Sequence, residues 1–258
     1  MPHDKTPSPT FKVAETALFL DLDGAIVPIA AQPDEVRASP SCRIVLHRAL
    51  DLLRGRLAVL SGRTIKAVDE VLGGAIHCVA GVHGLQRRTP VGGLVLEPPH
   101  ARIADASEVL EALARARPGL LVERKGASVA LHYRGAPEAA DAVIETVERL
   151  ASASGLQVQH GRMVAELRTP GPDKGAALDR FMLEVPFAGA RPVFIGDDLT
   201  DEPGFAAARR HGGVGILVGR RRQTLAQGRL ASPHATLSWI MHSLDKGHFD
   251  LREVGWAA

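Results

Sequence analysis

Asp21-Leu22-Asp23-Gly24 places two carboxylates one residue apart, directly after the apolar run Ala17–Leu20. Alternate residues of an extended segment point to one side, and two like charges so close are hard to keep ionised without a cation between them. One carboxylate of such a pair can attack phosphorus, splitting one hard hydrolysis into two steps through an acyl phosphate. Its neighbour can protonate a leaving oxygen and then activate water. A strand followed by an ordinary Asp-Gly turn would use the same residues, so the rest of the chain has to decide.

Three further stretches bear on that choice. Ser61-Gly62-Arg63 follows a second apolar run, Leu57–Leu60, and precedes a helical pattern; a hydroxyl, a glycine and a helix start make a phosphate seat, or else a plain helix cap. Asp197, Asp198, Asp201 and Glu202 put four acids within six residues after the apolar run Arg191–Ile195, which suits a hard cation better than a turn. Lys174 begins a helix, where the macrodipole favours anions, and that misfit is relieved if it faces a phosphate or a group of aspartates. Mg²⁺ fits the whole set, because it takes one or two carboxylates together with a substrate phosphate. Lys174 and the donors near Ser61 would then offset charge on the phosphoryl oxygens. His83, in Gly81-Val82-His83-Gly84, has no metal-ligating partner at i+3 or i+4 and reads as a loop histidine.

These residues need strand ends to hold them together. Strands are predicted at Ala17–Leu20, Arg56–Leu60, Ile76–Ala80, Arg191–Ile195 and Val214–Val218, with helical patterns between them and a closing helix at Leu237–Leu244. Short buried runs alternating with helices specify an α/β fold with a parallel sheet, whose strand carboxyl ends bind ligands. From about Pro98 the order becomes helix, two strands, helix, two strands, which specifies a small α+β domain with an antiparallel sheet. The expected division is a core from 16–98 and 170–258, an inserted domain at 99–169, and a disordered lead-in at 1–15. Glu123, Arg124, Lys125, His132, Arg134, Glu166 and Arg168 lie on or beside the inserted strands; they make either a solvated face with exchangeable ion pairs or a polar ligand-binding face. Arg220, Arg221 and Arg222 read as solvated surface.

Composition narrows the partners. The 258 residues are 45% hydrophobic and 23% charged, as in ordinary globular proteins. A net charge of +2 and only 4% aromatic residues give no reason to expect nucleic acid. No apolar stretch approaches the roughly 20 residues that span a bilayer, so no membrane partner is expected either. Cys42 and Cys78 form no CxxC pair, which suits a reducing compartment; a cytoplasmic monomer is expected.

In order, DLDG at Asp21–Gly24, SGR at Ser61–Arg63, Lys174 and GDDLTDE at Gly196–Glu202 resemble the haloacid dehalogenase (HAD) superfamily of phosphatases. The α+β insertion resembles its C2-type cap, on a Rossmann-like core. GVHG at Gly81–Gly84, VERKGASVALHYR at Val122–Arg134 and AELR at Ala165–Arg168 are similar to the trehalose-6-phosphate phosphatases within it. That resemblance implies an Mg²⁺-dependent hydrolysis of trehalose 6-phosphate through an aspartyl phosphate, as the final step of trehalose biosynthesis and linked functionally to a trehalose phosphate synthase. It implies Asp21 as nucleophile and metal ligand, Asp23 as general acid/base with its carbonyl on the metal, and Asp197 as the third ligand. Asp198 and Asp201 would orient the ligands and Lys174, while Ser61 and Gly62 would hold the phosphoryl group with Lys174. Glu123, Lys125, Glu166, His132 and Arg134 would meet the sugar, with Arg63 and His83 at the core–cap boundary. Another sugar phosphate, of the sucrose or mannosylglycerate type, and a non-catalytic phosphosugar-binding domain are the alternatives.

One residue departs from the family pattern. Ala25 stands where a threonine usually follows the glycine, so a hydroxyl is lost while the backbone N–H remains. Because every ionisable participant is retained, Ala25→Thr is expected to change kcat by less than about tenfold, checked by steady-state phosphate release; a larger gain would show that the alanine impairs the enzyme.

Overall fold

The computed structural model describes residues 10–30 and 35–255. Its centre is Thr16–Leu20 (β2), buried at all five positions because parallel neighbours pair on both sides and helices cover both faces. Arg191–Gly196 (β11) lies on one side of it and Leu57–Leu60 (β3) on the other. Val214–Val218 (β12) and Gly228–Leu230 (β13) extend the sheet beyond β11, and Cys78–Gly81 (β4) beyond β3, all parallel. Gln86–Arg88 (β5) and Leu94–Leu96 (β6) add an antiparallel edge, giving the order β13-β12-β11-β2-β3-β4-β5-β6. Period-two alternation divides β2 between two cores. Leu18 and Leu20 join the cluster with Pro40–Leu52 (α1), Ile65–Leu72 (α2) and Pro233–Lys246 (α7). Ala17 and Phe19 face Lys174–Met182 (α5) and Glu202–Arg210 (α6), where Phe19, Phe181 and Phe187 stack with ring centroids 5.4–6.2 Å apart.

Leu121–Arg124 (β7), Ser128–His132 (β8), Gln157–Gly161 (β9) and Val164–Arg168 (β10) form a separate antiparallel sheet in the order β7-β8-β10-β9. Ile103–Ala116 (α3) and Ala140–Ser154 (α4) cover one face, burying Val129, Leu131, Ala165 and Leu167. The opposite face then carries Glu123, Ala130, Glu166 and Gln159 in one cross-strand row. Where the two connecting segments meet, the His100 N–H donates to Thr169 Oγ1 at 2.9 Å.

Several expectations need correction. The lead-in is not disordered to Glu15: Thr10–Lys12 (β1) pairs with His248–Asp250 (β14), and Val13–Glu15 forms a 3₁₀ turn. Residues 1–9 of that lead-in lie outside the described residues. Phe11 opposite Phe249 supplies the apolar pair that holds β1, with the Arg191 guanidinium 3.7 Å from the Phe11 ring centroid. β5 carries no apolar residue, and β6, Leu94-Val95-Leu96, is a three-residue apolar run exposed at every position; neither strand was expected. Val214–Val218 is not the last strand, because β13 and β14 follow it. Among the described residues no helix is long and apolar enough to cross a membrane. Phe11→Ala is expected to lower stability by about 3 kcal/mol in urea unfolding, as for other buried phenylalanines; a change below about 0.5 kcal/mol would show that β1 contributes nothing to the folded core.

Candidate active site

Every element of the first sheet that carries a reactive side chain delivers it at the same edge. Asp21 follows β2, and its N–H donates to Ile195 O of β11 at 2.8 Å, so the strand ladder fixes its position. Gly24 then turns with φ +82°, and a Cβ there would stand 2.1 Å from Asp197 Oδ2; only glycine lets the two loops approach. Ser61 follows β3. A helix cap is the ordinary use of such a serine, but Thr64 caps α2 through Ala67 N–H, while Ser61 Oγ accepts from Arg63 N–H at 3.1 Å. Asp173 caps α5 through Ala176 N–H, which leaves Lys174, the first helical residue, pointing back into the strand ends.

Lys174 Nζ donates to Asp21 Oδ1 at 2.8 Å and to Asp201 Oδ1 at 2.7 Å. All three groups are buried, Lys174 at 2% exposure and Asp201 at 0%. Asp201 Oδ2 also accepts from the N–H groups of Asp197 and Asp198, at 2.9 and 3.0 Å, so its carboxylate organises the acidic loop from within. Burial pushes the Asp21 carboxyl well above the usual carboxylate range; Lys174 opposes this, and Asp201 and Asp197 add to it. Burial likewise lifts Asp197 to about 7, with Asp201 adding and Lys174 opposing. Lys174 moves the other way: burial works against its charge, but Asp201 and Asp21 outweigh it and hold the ammonium above its ordinary range.

Asp21, Asp197 and Asp201 each offer a carboxylate oxygen within 4.8 Å of the other two. One lysine does not neutralise three acids, and the raised Asp21 and Asp197 carboxyls record burial first and the remaining repulsion second. All the donors are hard oxygens, so the set fits Mg²⁺. Asp201 has both oxygens engaged by Lys174 and backbone N–H groups, which suits it to orienting the cluster. The Asp198 side chain accepts from Leu199 N–H at 2.6 Å. The Asp23 carboxylate lies outside the cluster and is paired with Arg63.

A cavity of about 380 Å³ opens over these strand ends and continues to the polar face of the second sheet. It is lined from the core by Asp21, Asp23, Ser61, Gly62, Arg63, His83, Lys174, Asp197 and Asp198, and from the insertion by Glu123, Lys125, His132, Arg134 and Glu166. Of the expected site residues, only Asp201 stays behind this lining. On the insertion face, Lys125 Nζ donates to Glu166 Oε2 at 2.7 Å and lies 3.8 Å from Glu123 Oε2, while His132 Nε2 is 3.0 Å from Glu123 Oε2. Burial alone would raise Glu166, but Lys125 draws it down to about 2. These side chains therefore do not form a solvated face.

Sequence reasoning missed Gln159, Arg162 and Thr200, which also line the cavity. Gln159 was findable from its register opposite Glu166; Arg162 and Thr200 carry no such signal. Arg222 was expected in solvated surface, but it is half-buried, donates to Asp198 O at 2.7 Å and pairs with Glu202, bracing the acidic loop from outside; Arg220 and Arg221 are exposed. Ala25 is fully buried in the apolar core and does not line the cavity.

His83 packs against Gly62, where a Cβ would stand 2.6 Å from Nε2, and faces Glu166 Oε2 at 3.9 Å. Burial lowers its pKa to about 3, against the pull of Glu166. The folded protein thus keeps His83 neutral while the unfolded chain protonates it near pH 6.5, so this contribution to stability is complete above pH 6.5 and lost as pH falls toward 3. Thermal and urea unfolding should show His83→Asn flattening the acid side of the stability profile by on the order of 2 kcal/mol between pH 6.5 and 4.5. An unchanged slope would mean that the imidazole is protonated in the fold.

A sequence model described as Trehalose-phosphatase matches residues 19–233. The Trehalose-6-phosphate phosphatase of Escherichia coli is 37% identical over 229 residues, covering 88% of this chain and 86% of the relative. Among solved structures, the C-terminal domain of the Candida albicans Trehalose-6-phosphate phosphatase superposes with a TM-score of 0.80 at 18% identity, covering 90% of this chain and 93% of that one. A haloacid dehalogenase-like hydrolase from Bacteroides thetaiotaomicron superposes with a TM-score of 0.63 at 17% identity, covering 88% and 98%.

Proposed function

The chain belongs to the trehalose-phosphatase family and is a phosphatase, and from that premise we propose that it hydrolyses trehalose 6-phosphate to trehalose and phosphate in two steps on Asp21. The observation that carries this reading is the Lys174 bridge: a buried ammonium holds Asp21 at a strand end, in a cavity whose far wall is lined with hydrogen-bonding side chains. The phosphoryl group would sit against Ser61, Gly62 and Lys174, near the N-terminus of α2. Its sugar would reach Glu123, Lys125, His132, Arg134 and Glu166.

In the first step an Asp21 carboxylate oxygen bonds to phosphorus as the bond from phosphorus to the sugar oxygen breaks, and Asp23 gives that oxygen its proton. In the second, Asp23 takes a proton from water, the water oxygen bonds to phosphorus, and the Asp21–phosphorus bond breaks. Lys174 offsets negative charge on the phosphoryl oxygens in both steps. Mg²⁺, held by Asp21, Asp197 and the Asp23 carbonyl, would supply further charge neutralisation at the phosphoryl oxygens. Asp201 and Asp198 hold the loop that presents Asp197.

Phosphate release should be measured over a panel of sugar phosphates, with Mg²⁺ and after its removal by chelation. Turnover of trehalose 6-phosphate is expected to fall to background on chelation, to return with Mg²⁺, and to be absent in Asp21→Asn. Persistent turnover in Asp21→Asn would overturn the aspartyl-phosphate route, and preference for another sugar phosphate would overturn the substrate.

A further inference from the structure

One contact in the site works against the reaction just described. Arg63 Nε donates to Asp23 Oδ2 at 2.7 Å and Nη2 donates to Oδ1 at 2.8 Å, a two-pronged pair that engages both carboxylate oxygens. The pair is largely sheltered, with side-chain exposures of 14% for Arg63 and 31% for Asp23. A carboxyl group that hands a proton to a leaving oxygen needs one oxygen free to face it.

Both backbones are fixed, so only the side chains can part. Arg63 N–H donates to Ser61 Oγ, and Arg63 O accepts from Val82 N–H at 2.8 Å. Asp23 bridges Val27, and Gly24 N–H donates to Val27 O at 2.7 Å. Across the cavity, Glu123 of the inserted domain acts on the guanidinium after Asp23 itself. Glu123 is already linked to His132 and Lys125, the groups placed to meet the sugar. Arg63, Asp23 and Glu123 all line the same cavity, so a phosphosugar filling it lies among them.

We infer that Arg63 is a positioning residue that makes proton transfer depend on the sugar: it holds Asp23 until sugar hydroxyls and Glu123 draw the guanidinium away and free an Asp23 oxygen for the leaving group. This inference rests on reading Asp23 as the proton donor. A phosphate ester too small to reach Glu123 occupies the phosphoryl seat but leaves the Arg63–Asp23 pair closed. Discrimination against small esters therefore falls on kcat as well as on KM.

The test compares kcat and KM for trehalose 6-phosphate and for glycerol 3-phosphate in the wild type, Arg63→Ala, Arg63→Lys and Asp23→Asn, all with Mg²⁺. Arg63→Ala is expected to raise kcat on glycerol 3-phosphate by roughly tenfold or more, and to raise KM for trehalose 6-phosphate, so that the ratio of the two kcat values shrinks. Arg63→Lys, a point charge unable to grip both oxygens, should fall between Arg63→Ala and the wild type, and it carries the same comparison if circular dichroism shows that Arg63→Ala does not fold. An unchanged kcat on glycerol 3-phosphate, or an equal fall on both substrates in a folded variant, would overturn the inference while leaving the role of Asp23 standing. Full turnover in Asp23→Asn would instead overturn the reading of Asp23 as proton donor, and the inference with it.

Discussion

Crowding of like charge at the carboxyl ends of parallel strands is the constraint around which this protein is arranged. β2 and β11 are neighbours, so the loops that follow them bring Asp21, Asp197 and Asp201 within reach of one another. Water screens that repulsion poorly, because Asp201 is wholly enclosed and Asp21 is buried, with only Asp197 half-buried at the cavity. Lys174 is the protein's own answer, placed by the cap of α5 at a position where a helix would ordinarily prefer an anion. Its charge accounts for only part of the three acids, a deficit that a divalent cation would fit. Gly24 and Gly196 serve the same end, since a Cβ at either would collide with Asp197 or Asp201.

The inserted sheet meets a similar constraint differently. Its apolar face is sealed by α3 and α4, so the alternation of each strand forces Glu123 and Glu166 together onto the other face. Ala130 between them keeps that row shallow, and Lys125 links the two acids. Several buried atoms on or beside that face lack a hydrogen-bond partner within the described protein: Glu166 Oε1, Ser128 Oγ and Arg168 Nε on the sheet, and His83 Nδ1 from the core. Each such atom costs about 1–3 kcal/mol, so stability alone does not account for them. Of these residues Glu166 and His83 line the cavity, where the proposed sugar would offer them hydroxyls.

How much of this could be read from the chain depended on whether burial left a mark in the sequence. The runs ALFL, LAVL, PVFI and GILV are buried on both faces, and each was legible as a strand without reference to its partners. β6 and β13 are short and owe their existence to a neighbouring strand more than to their own residues, so periodicity passes them by. β1 was hidden by its polar, proline-containing surroundings; only Phe11 hinted at it, and its partner Phe249 lies almost the whole chain away. The residues that line the candidate site were legible for the opposite reason, that acids, a lysine and glycines at strand ends are locally unfavourable and therefore conspicuous. Gln159 and Arg222 were not, because a glutamine in a strand and an arginine in a loop are unremarkable until tertiary structure supplies their neighbours.

Ala25 shows where local reasoning about a motif reaches its limit. Position in the sequence, two residues after Asp23, suggested a side chain beside the phosphoryl seat. Gly24 reverses the chain at that point, and Leu22, Ala25, Ile26 and Val27 all turn into the core that α1, α2 and α7 cover. A threonine at 25 would have to bury a hydroxyl among them or turn it back toward the loop's own backbone. Alanine removes that demand and keeps the backbone N–H. The departure from the family pattern is thus a question of packing beneath the loop, while the chemistry proposed above it calls on Asp21, Asp23, Lys174 and Asp197.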